Sequence, residues 1–580
     1  MEEKTPKFNF VIKEIMDSLS PHKRTCKWKG VHQYCQGEFE IEGGDIKFLK
    51  IFSVPPPNFC PTCRRIRRLA HFGVSQLFKR KCDAPKHNET MISLFSDQCP
   101  FPVYDYSYFI SDEFDPFYFG VEYKKNPMET LFGIRRKFPM PSFLNRDPSS
   151  INSEYSSGGR NLKNGYYVSS CFNVENAWYS GMLLRSRDVM DSLRTDRSEF
   201  VYEGFFSDHV YNSSFVYFSS GCIDSMFIFD CRNCQKCFGC VNLINVKYCI
   251  YNKQHTEEEY MEFMSSVYPL TRDKLSSFED DFWNLIRSLP VNGTRNVASD
   301  NVFGTDIRNS KNLFDVSGAD NSENIRHADG ALSHHDSMDF LYSGGNSSFL
   351  YMDTNIGSQS SRVKFSVSTK FSTDCEFVFN SKNLSNCFMC FGLQNKSYCI
   401  LNKQYTENDY FKIMDVIKTE MLEKGEYADG PGIEFSAMAY NFSLAQVVYP
   451  LNETTIEKLG GYVAKEPETN AGNIQVIKYD DLPEMIDDIK DSLTDGAVEC
   501  EKTGRPFRIT LSELGFYRKM KLPIPAEHPS VRINRRLKFS GDGMKFQTKC
   551  EKCKKEIETM FSPERKLRIF CEKCFQMEVS

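Results

Sequence analysis

One stretch, used twice, fixes what this chain can fold into. Cys237, Cys240, Tyr248, Cys249, Asn252, Lys253, Gln254 and Tyr260 return in order and without a gap as Cys387, Cys390, Tyr398, Cys399, Asn402, Lys403, Gln404 and Tyr410. An offset of about 150 residues held that strictly marks a duplicated structural unit. Ahead of each copy run short apolar segments, at 166–168, 200–202, 215–218 and 227–229, then at 340–342, 349–351, 363–365 and 377–379. Most recur at intervals of about eleven to fifteen residues with Ser, Asn, Asp and Gly between them.

Strands this short with turns this regular predict a mainly β architecture of two stacked parallel β-helix-like solenoid blocks. Each coil would bury a stripe that its neighbours complete. A sandwich also gives regular short strands. The 49 Phe and 28 Tyr suit strands that bury rings on one face. Thr256 with Glu259 and Thr406 with Asp409 are capping boxes or close variants, so a helix caps each block. Further helices are expected to open the blocks, over 128–138 and 278–289, each ending at a proline. The Asn-Lys-Gln triplets before the caps read as amides bridging coil to cap. Cys222, Cys231, Cys234, Cys237, Cys240 and Cys249, with Cys375, Cys387, Cys390 and Cys399, read as small hydrophobes of a narrow interior. The competing reading makes Cys231, Cys234, Cys237 and Cys240 a metal or iron–sulfur site.

A second duplication joins the two ends. Val54, Arg67, Arg68 and Cys82 fall on Leu522, Arg535, Arg536 and Cys550 at one offset. In the N-terminal copy His32, Cys35, Cys60 and Cys63 have the two-knuckle spacing of a tetrahedral zinc site, with Cys26 as an alternative to His32 for the fourth ligand. The C-terminal copy keeps only Cys500 and His528 there. It has instead a full Cys₄ ribbon, Cys550, Cys553, Cys571 and Cys574, of which the N-terminal copy keeps Cys82 alone. Two structural Zn²⁺ ions are therefore expected, one at each end.

Both copies carry a basic run: Arg64, Arg65, Arg67, Arg68, Lys79, Arg80 and Lys81 in one, Arg532, Arg535, Arg536 and Lys538 in the other. On a small rigid zinc module such residues can neutralise phosphates. They can equally cover an apolar surface and pair with local acids. Net charge is only −5, so any nucleic-acid signal is local.

The letters that carry a family resemblance are Val54 to Pro57 with Cys60, Cys63 and Arg64, then Cys237 to Leu243 and Tyr251 to Gln254. Tyr440 to Ser443 and Phe516 to Lys519 with Leu522 to Pro525 complete them. In these the chain resembles an uncharacterised family of multi-zinc-ribbon, cysteine-rich repeat proteins of genome-reduced uncultured bacteria. The resemblance implies zinc ribbons around a repeat core and brings no activity with it. This chain departs from the pattern by losing ribbon and coil cysteines.

The expected order is an amphipathic helix at 1–24, a zinc-ribbon module at 25–124, solenoid blocks at 125–275 and 276–425, a connector with an acidic helix (482–493) at 426–497, and a second zinc-ribbon module at 498–580. No apolar run approaches the ~18–20 residues of a membrane span. The 22 cysteines without an export signal fit a reducing cytoplasm. The expected function is a non-enzymatic zinc-binding protein that grips RNA or a ribonucleoprotein through its basic ends. The alternatives are a protein-interaction scaffold using aromatic solenoid faces and a β-helix carbohydrate-active enzyme. For the last, Asp336 and Asp339 near His334 and His335, or Asp353, are the candidate acids.

Overall fold

The computed structural model of the chain describes residues 4–73, 76–144, 147, 149–467, 474–540 and 545–579. Two compact units emerge. One comprises Met1–Leu144, Thr294–Lys465 and Ile557–Thr559; the other comprises Asn145–Gly293, Glu466–Glu556 and Met560–Ser580. The N-terminal module thus shares a unit with the second repeat block, and most of the C-terminal module shares one with the first.

Each block is built on a ten-stranded sheet whose neighbouring strands run parallel, ending on a two-residue antiparallel strand, Lys253–Gln254 or Lys403–Gln404. In the first block Leu162 lies opposite Val174, Val201 opposite Ser213 and Cys237 opposite Cys249, an advance of twelve residues. Bridges outside the sheet, Ser157 to Ser169 and Ser169 to Gly181, keep the same step. Parallel neighbours joined by so few residues have no room for a crossover helix.

The step of twelve divides into threes. Asn161, Asn164, Tyr167, Ser170, Asn173 and Asn176 all take positive φ near 50°, in the left-handed region that Asn tolerates best. The residue after each one is buried, as Leu162, Val168, Cys171, Val174 and Ala177 show. Every third residue from Ser153 to Cys249 is Ser, Gly, Leu, Val, Cys, Ala, Thr or Ile. Apolar runs alone hide this period, because many of the inward residues are hydroxylic. Those hydroxyls are satisfied inside: Ser192 Oγ accepts the Gly204 N–H at 2.8 Å, and Thr195 Oγ1 donates to Gly204 O at 3.2 Å. The second block keeps the step at twelve with local slips, to eleven where Val302 faces Leu313 and thirteen where Leu350 faces Val363.

Both caps form. Thr256 and Glu259 make a reciprocal capping box on the helix Glu257–Val267, and Thr406 Oγ1 accepts the Asp409 N–H at 3.2 Å on the helix Glu407–Glu423. The two expected opening helices also form, but elsewhere in the architecture. Arg272–Ser288 packs Phe278 on Phe238 and Phe282 on Phe227 of the first block. Pro127–Lys137 sends Leu131 and Ile134 into one core with Phe379 and Phe391 of the second.

At the start of the chain the helix Pro6–Ser18 buries Phe8, Ile12 and Met16. Its first N–H groups reach Asp415, Phe8 N at 2.8 Å and Lys7 N at 3.2 Å, so a carboxylate sits on its positive end. Residues 1–3 of the expected segment lie outside the described residues, as do 468–473 of the connector. The acidic helix expected over 482–493 is instead two 3₁₀ turns, Ile486–Asp488 and Asp491–Asp495. Leu482, Ile486, Ile489 and Leu493 are buried at helical spacing. Asp487, Asp488 and Asp491 between them favour turns over helix interior.

Candidate metal centres

Four sulfurs converge near the N-terminus: Cys26, Cys35, Cys60 and Cys63, all within 4.8 Å of one another. Cys26 follows the strand His22–Thr25, while Cys60 and Cys63 begin the helix Pro61–Leu69. Backbone donors support them, Cys60 N–H to Cys26 Sγ at 3.3 Å and Gly37 N–H to Cys35 Sγ at 3.4 Å. Cys60 and Cys63 donate to Cys26 and drive its pKa down to about 2, and the same contacts push Cys63 up. A divalent cation resolves that competition by favouring every thiolate at once.

The converging set takes Cys26, the alternative fourth ligand, and leaves out His32. Its Nε2 stands 3.4 Å from Cys63 Sγ, and its Nδ1 is buried without a partner. The reason is a loop insertion. Cys26 N bonds Gly37 O and Lys27 N bonds Asn58 O, whereas Cys500 N bonds Arg505 O and Glu501 N bonds Ala526 O. Cys500 is therefore the counterpart of Cys26, not of His32, and the N-terminal turn is longer. His528 N–H still donates to Cys500 Sγ at 3.2 Å, as Cys60 does to Cys26.

The second group is Cys550, Cys553, Cys571 and Cys574. Cys553 and Cys571 sulfurs are 3.7 Å apart. Tetrahedral Zn–S bonds of about 2.3 Å place sulfurs about 3.8 Å apart, so the set fits zinc. Burial opposes ionisation of Cys550, but the N–H groups of Cys553 and Cys571 overcome it and bring the thiol to about 6. Both tetracysteine groups can hold a metal ion. Zinc matches their donors, and would supply a cross-link between strand turns and a helix start.

The basic runs mostly face inward. Arg64 and Arg68 close on the Asp339 carboxylate at 3.1 and 3.0 Å, and Arg65 on Asp329 at 2.6 Å. In the other unit Arg532 and Arg536 share Asp191, and Arg535 reaches Glu203 at 2.5 Å and Glu527 at 3.2 Å. Arg67 donates to Gly430 O and lies over the Phe59 ring, while Arg80 is buried against Ser96 O and Asp83. The guanidinium groups of Arg64, Arg65, Arg68, Arg80, Arg532 and Arg536 are thus closed to a phosphate. Of the basic residues read as nucleic-acid contacts, Lys79, Lys81, Arg535 and Lys538 stay exposed. Sequence alone does not pair the acids: Asp191 and Asp339 stand 148 residues apart, two short of the repeat offset, and only the thirteen-residue steps after Met338 and Leu350 account for the difference.

The coil cysteines are inward residues of the twelve-residue step, and each thiol finds a carbonyl. Cys231 Sγ donates to Cys240 O at 3.4 Å, Cys234 Sγ to Leu243 O at 3.3 Å and Cys240 Sγ to Cys249 O at 3.4 Å. Serine hydroxyls make the same bond elsewhere, as Ser207 Oγ does to Val216 O at 3.1 Å. Asn252 and Asn402 serve as false strands: Oδ1 and Nδ2 of Asn402 pair with Phe391 N and O at 2.7 and 2.8 Å, and Asn252 does so with Val241.

The acids considered for sugar chemistry do not converge. Asp339 is held by arginines, Asp336 accepts the Asn324 amide at 3.1 Å, and Asp353 is buried between Ser366 N and Tyr351 N. His334 Nε2 points at Ser343 O inside the block, and burial lowers its pKa to about 4. Among the described residues no helix is long and apolar enough to cross a membrane. Neither a protein-family model nor a curated protein matches the chain.

Proposed function

We propose that this chain is a non-enzymatic, zinc-stabilised scaffold in which each repeat block is a closed, four-sided β-solenoid clasped by one zinc module. The step of three residues per side and twelve per turn supports closure, since a wall of that length brings the chain back to its own sheet. The observation that carries the functional reading is the repeated clasp, Arg64 and Arg68 on Asp339 and Arg532 and Arg536 on Asp191. Positive charge that would otherwise meet a polyanion is consumed in attaching module to solenoid. The metal ions hold the helix starts from which Arg64 and Arg68 extend, so metal and clasp act together. What the scaffold offers a partner is the outer solenoid wall, whose ladders such as Asn152–Asn164–Asn176 and Arg197–Asp208 are polar and regular.

Metal extraction from the full chain tests this. Chelation is expected to release zinc and expose the modules to protease while the repeat cores stay protected. An unchanged digestion pattern after complete zinc removal would overturn it. Salt-sensitive retention of RNA that is lost with Lys79→Ala, Lys81→Ala and Lys538→Ala together would instead favour nucleic acid as the partner.

A further inference from the structure

A third cluster lies in the part of the N-terminal module that matches the intact C-terminal ribbon. Cys82 opens the turn between the paired strands Phe78–Lys81 and Thr90–Ser93. In the C-terminal copy the corresponding Cys550 N–H bonds Lys555 O; here Cys82 N–H bonds Glu89 O, so the turn is two residues longer. The extra length presents new side chains. His87 folds back with its N–H on Ala84 O at 3.1 Å, directly after Lys86 in the left-handed region at φ 68°. The Tyr108 ring centroid lies 4.4 Å from that of His87, with the two planes tilted by 44°.

The result is three potential ligands of different kinds on one loop. Cys82 Sγ, a His87 ring nitrogen and a Glu89 carboxylate oxygen lie within 4.8 Å of one another, with His87 Nδ1 2.8 Å from Glu89 Oε1. The support of the sulfur has survived as well. Asp105 N–H donates to Cys82 Sγ at 3.2 Å, just as the Cys571 N–H supports Cys550 in the intact ribbon. A cysteine kept only for packing has no need of that donor together with two further ligand types at its side.

We propose that Cys82, His87 and Glu89 form a third metal site, taking a divalent transition ion of the zinc class on one sulfur, one nitrogen and one oxygen. Thiolate and carboxylate together balance the charge of the ion. His87 is half-buried and Glu89 exposed, so the fourth position faces solvent and exchanges water or a small anion. With one sulfur in place of four, this ion leaves before the other two.

The test uses the full chain, loaded with zinc and dialysed against buffer of fixed free zinc. The expected content is about three equivalents for the unaltered protein and about two for His87→Ala and for Glu89→Gln, with a small drop in melting temperature in both because this ion is the weakest held. Cys553→Ser should also lose one equivalent but lower the melting temperature further. That separates failure of this site from failure of the tetracysteine reading. Two equivalents in the unaltered protein, or no loss on His87→Ala, would make the contact a plain His–Glu ion pair and overturn the proposal.

Discussion

Arg68 Nη1 lies 3.0 Å from the Asp339 carboxylate, across 271 residues of sequence, with both side chains buried. Arg536 holds Asp191 at 2.8 Å in the corresponding place of the other unit. Two arginines share one carboxylate in each case, so removing that acid leaves two guanidinium groups without a counter-charge at once.

Asp339→Ala and Asp191→Ala should therefore each destabilise their unit by roughly 3–5 kcal/mol, because two buried guanidinium groups lose their counter-charge. Lys79→Ala and Lys538→Ala, at exposed positions, should stay within about 0.5 kcal/mol. Denaturant midpoints measure both. Equal effects at buried and exposed sites would contradict the clasp.

Ligand identity at the N-terminus separates by substitution. Cys26→Ser should remove about one zinc equivalent from the chain, whereas His32→Ala should leave the count unchanged. Metal analysis after dialysis decides it. Loss of the ion with His32→Ala alone would restore the histidine to the ligand set.

The inward thiols should tolerate oxygen but not bulk. Cys234→Ser keeps a donor for Leu243 O and should cost under about 1.5 kcal/mol, since serine already fills equivalent positions. Cys234→Phe overfills a fully buried position and should cost about 3 kcal/mol or more. Unfolding midpoints test this, and neither change should alter the zinc content.

Glu513 gives the chain a pH signature. Burial raises its carboxyl to about 7, against the pull of Arg532. Its folded-state pKa lies above the unfolded one, so the folded state binds the extra proton. This contribution is full below about pH 4.5 and is lost as pH rises through 7, by about 3 kcal/mol at most. Stability measured across that window should fall less steeply in Glu513→Gln. A slope identical to the unaltered chain would rule the group out.

Reading the residues alone reaches as far as local and periodic information goes. The paired Cys237 and Cys387 stretches, the boxes at Thr256 and Thr406, and the four C-terminal sulfurs are matters of spacing along the chain, and spacing is covalent. The period of three from Ser153 to Cys249 is equally present, but apolar runs do not display it, because about half of the inward residues carry a hydroxyl or a thiol. Cys26 is hidden differently: the constant offset between the two ends sets Cys500 opposite His32, and only the loop insertion restores its match to Cys26.

Which surface the arginines serve was decided only by tertiary structure. Arg64, Arg65 and Arg68 look alike as letters whether they meet phosphate or Asp329 and Asp339, because a charge has no preferred partner until the fold brings one within a few ångströms in a dry interior. The order of letters therefore settled the repeats and the C-terminal sulfur set, and left Cys26 and His32 as alternatives at the N-terminus. Long-range packing settled which block each module clasps and where the positive charge is spent.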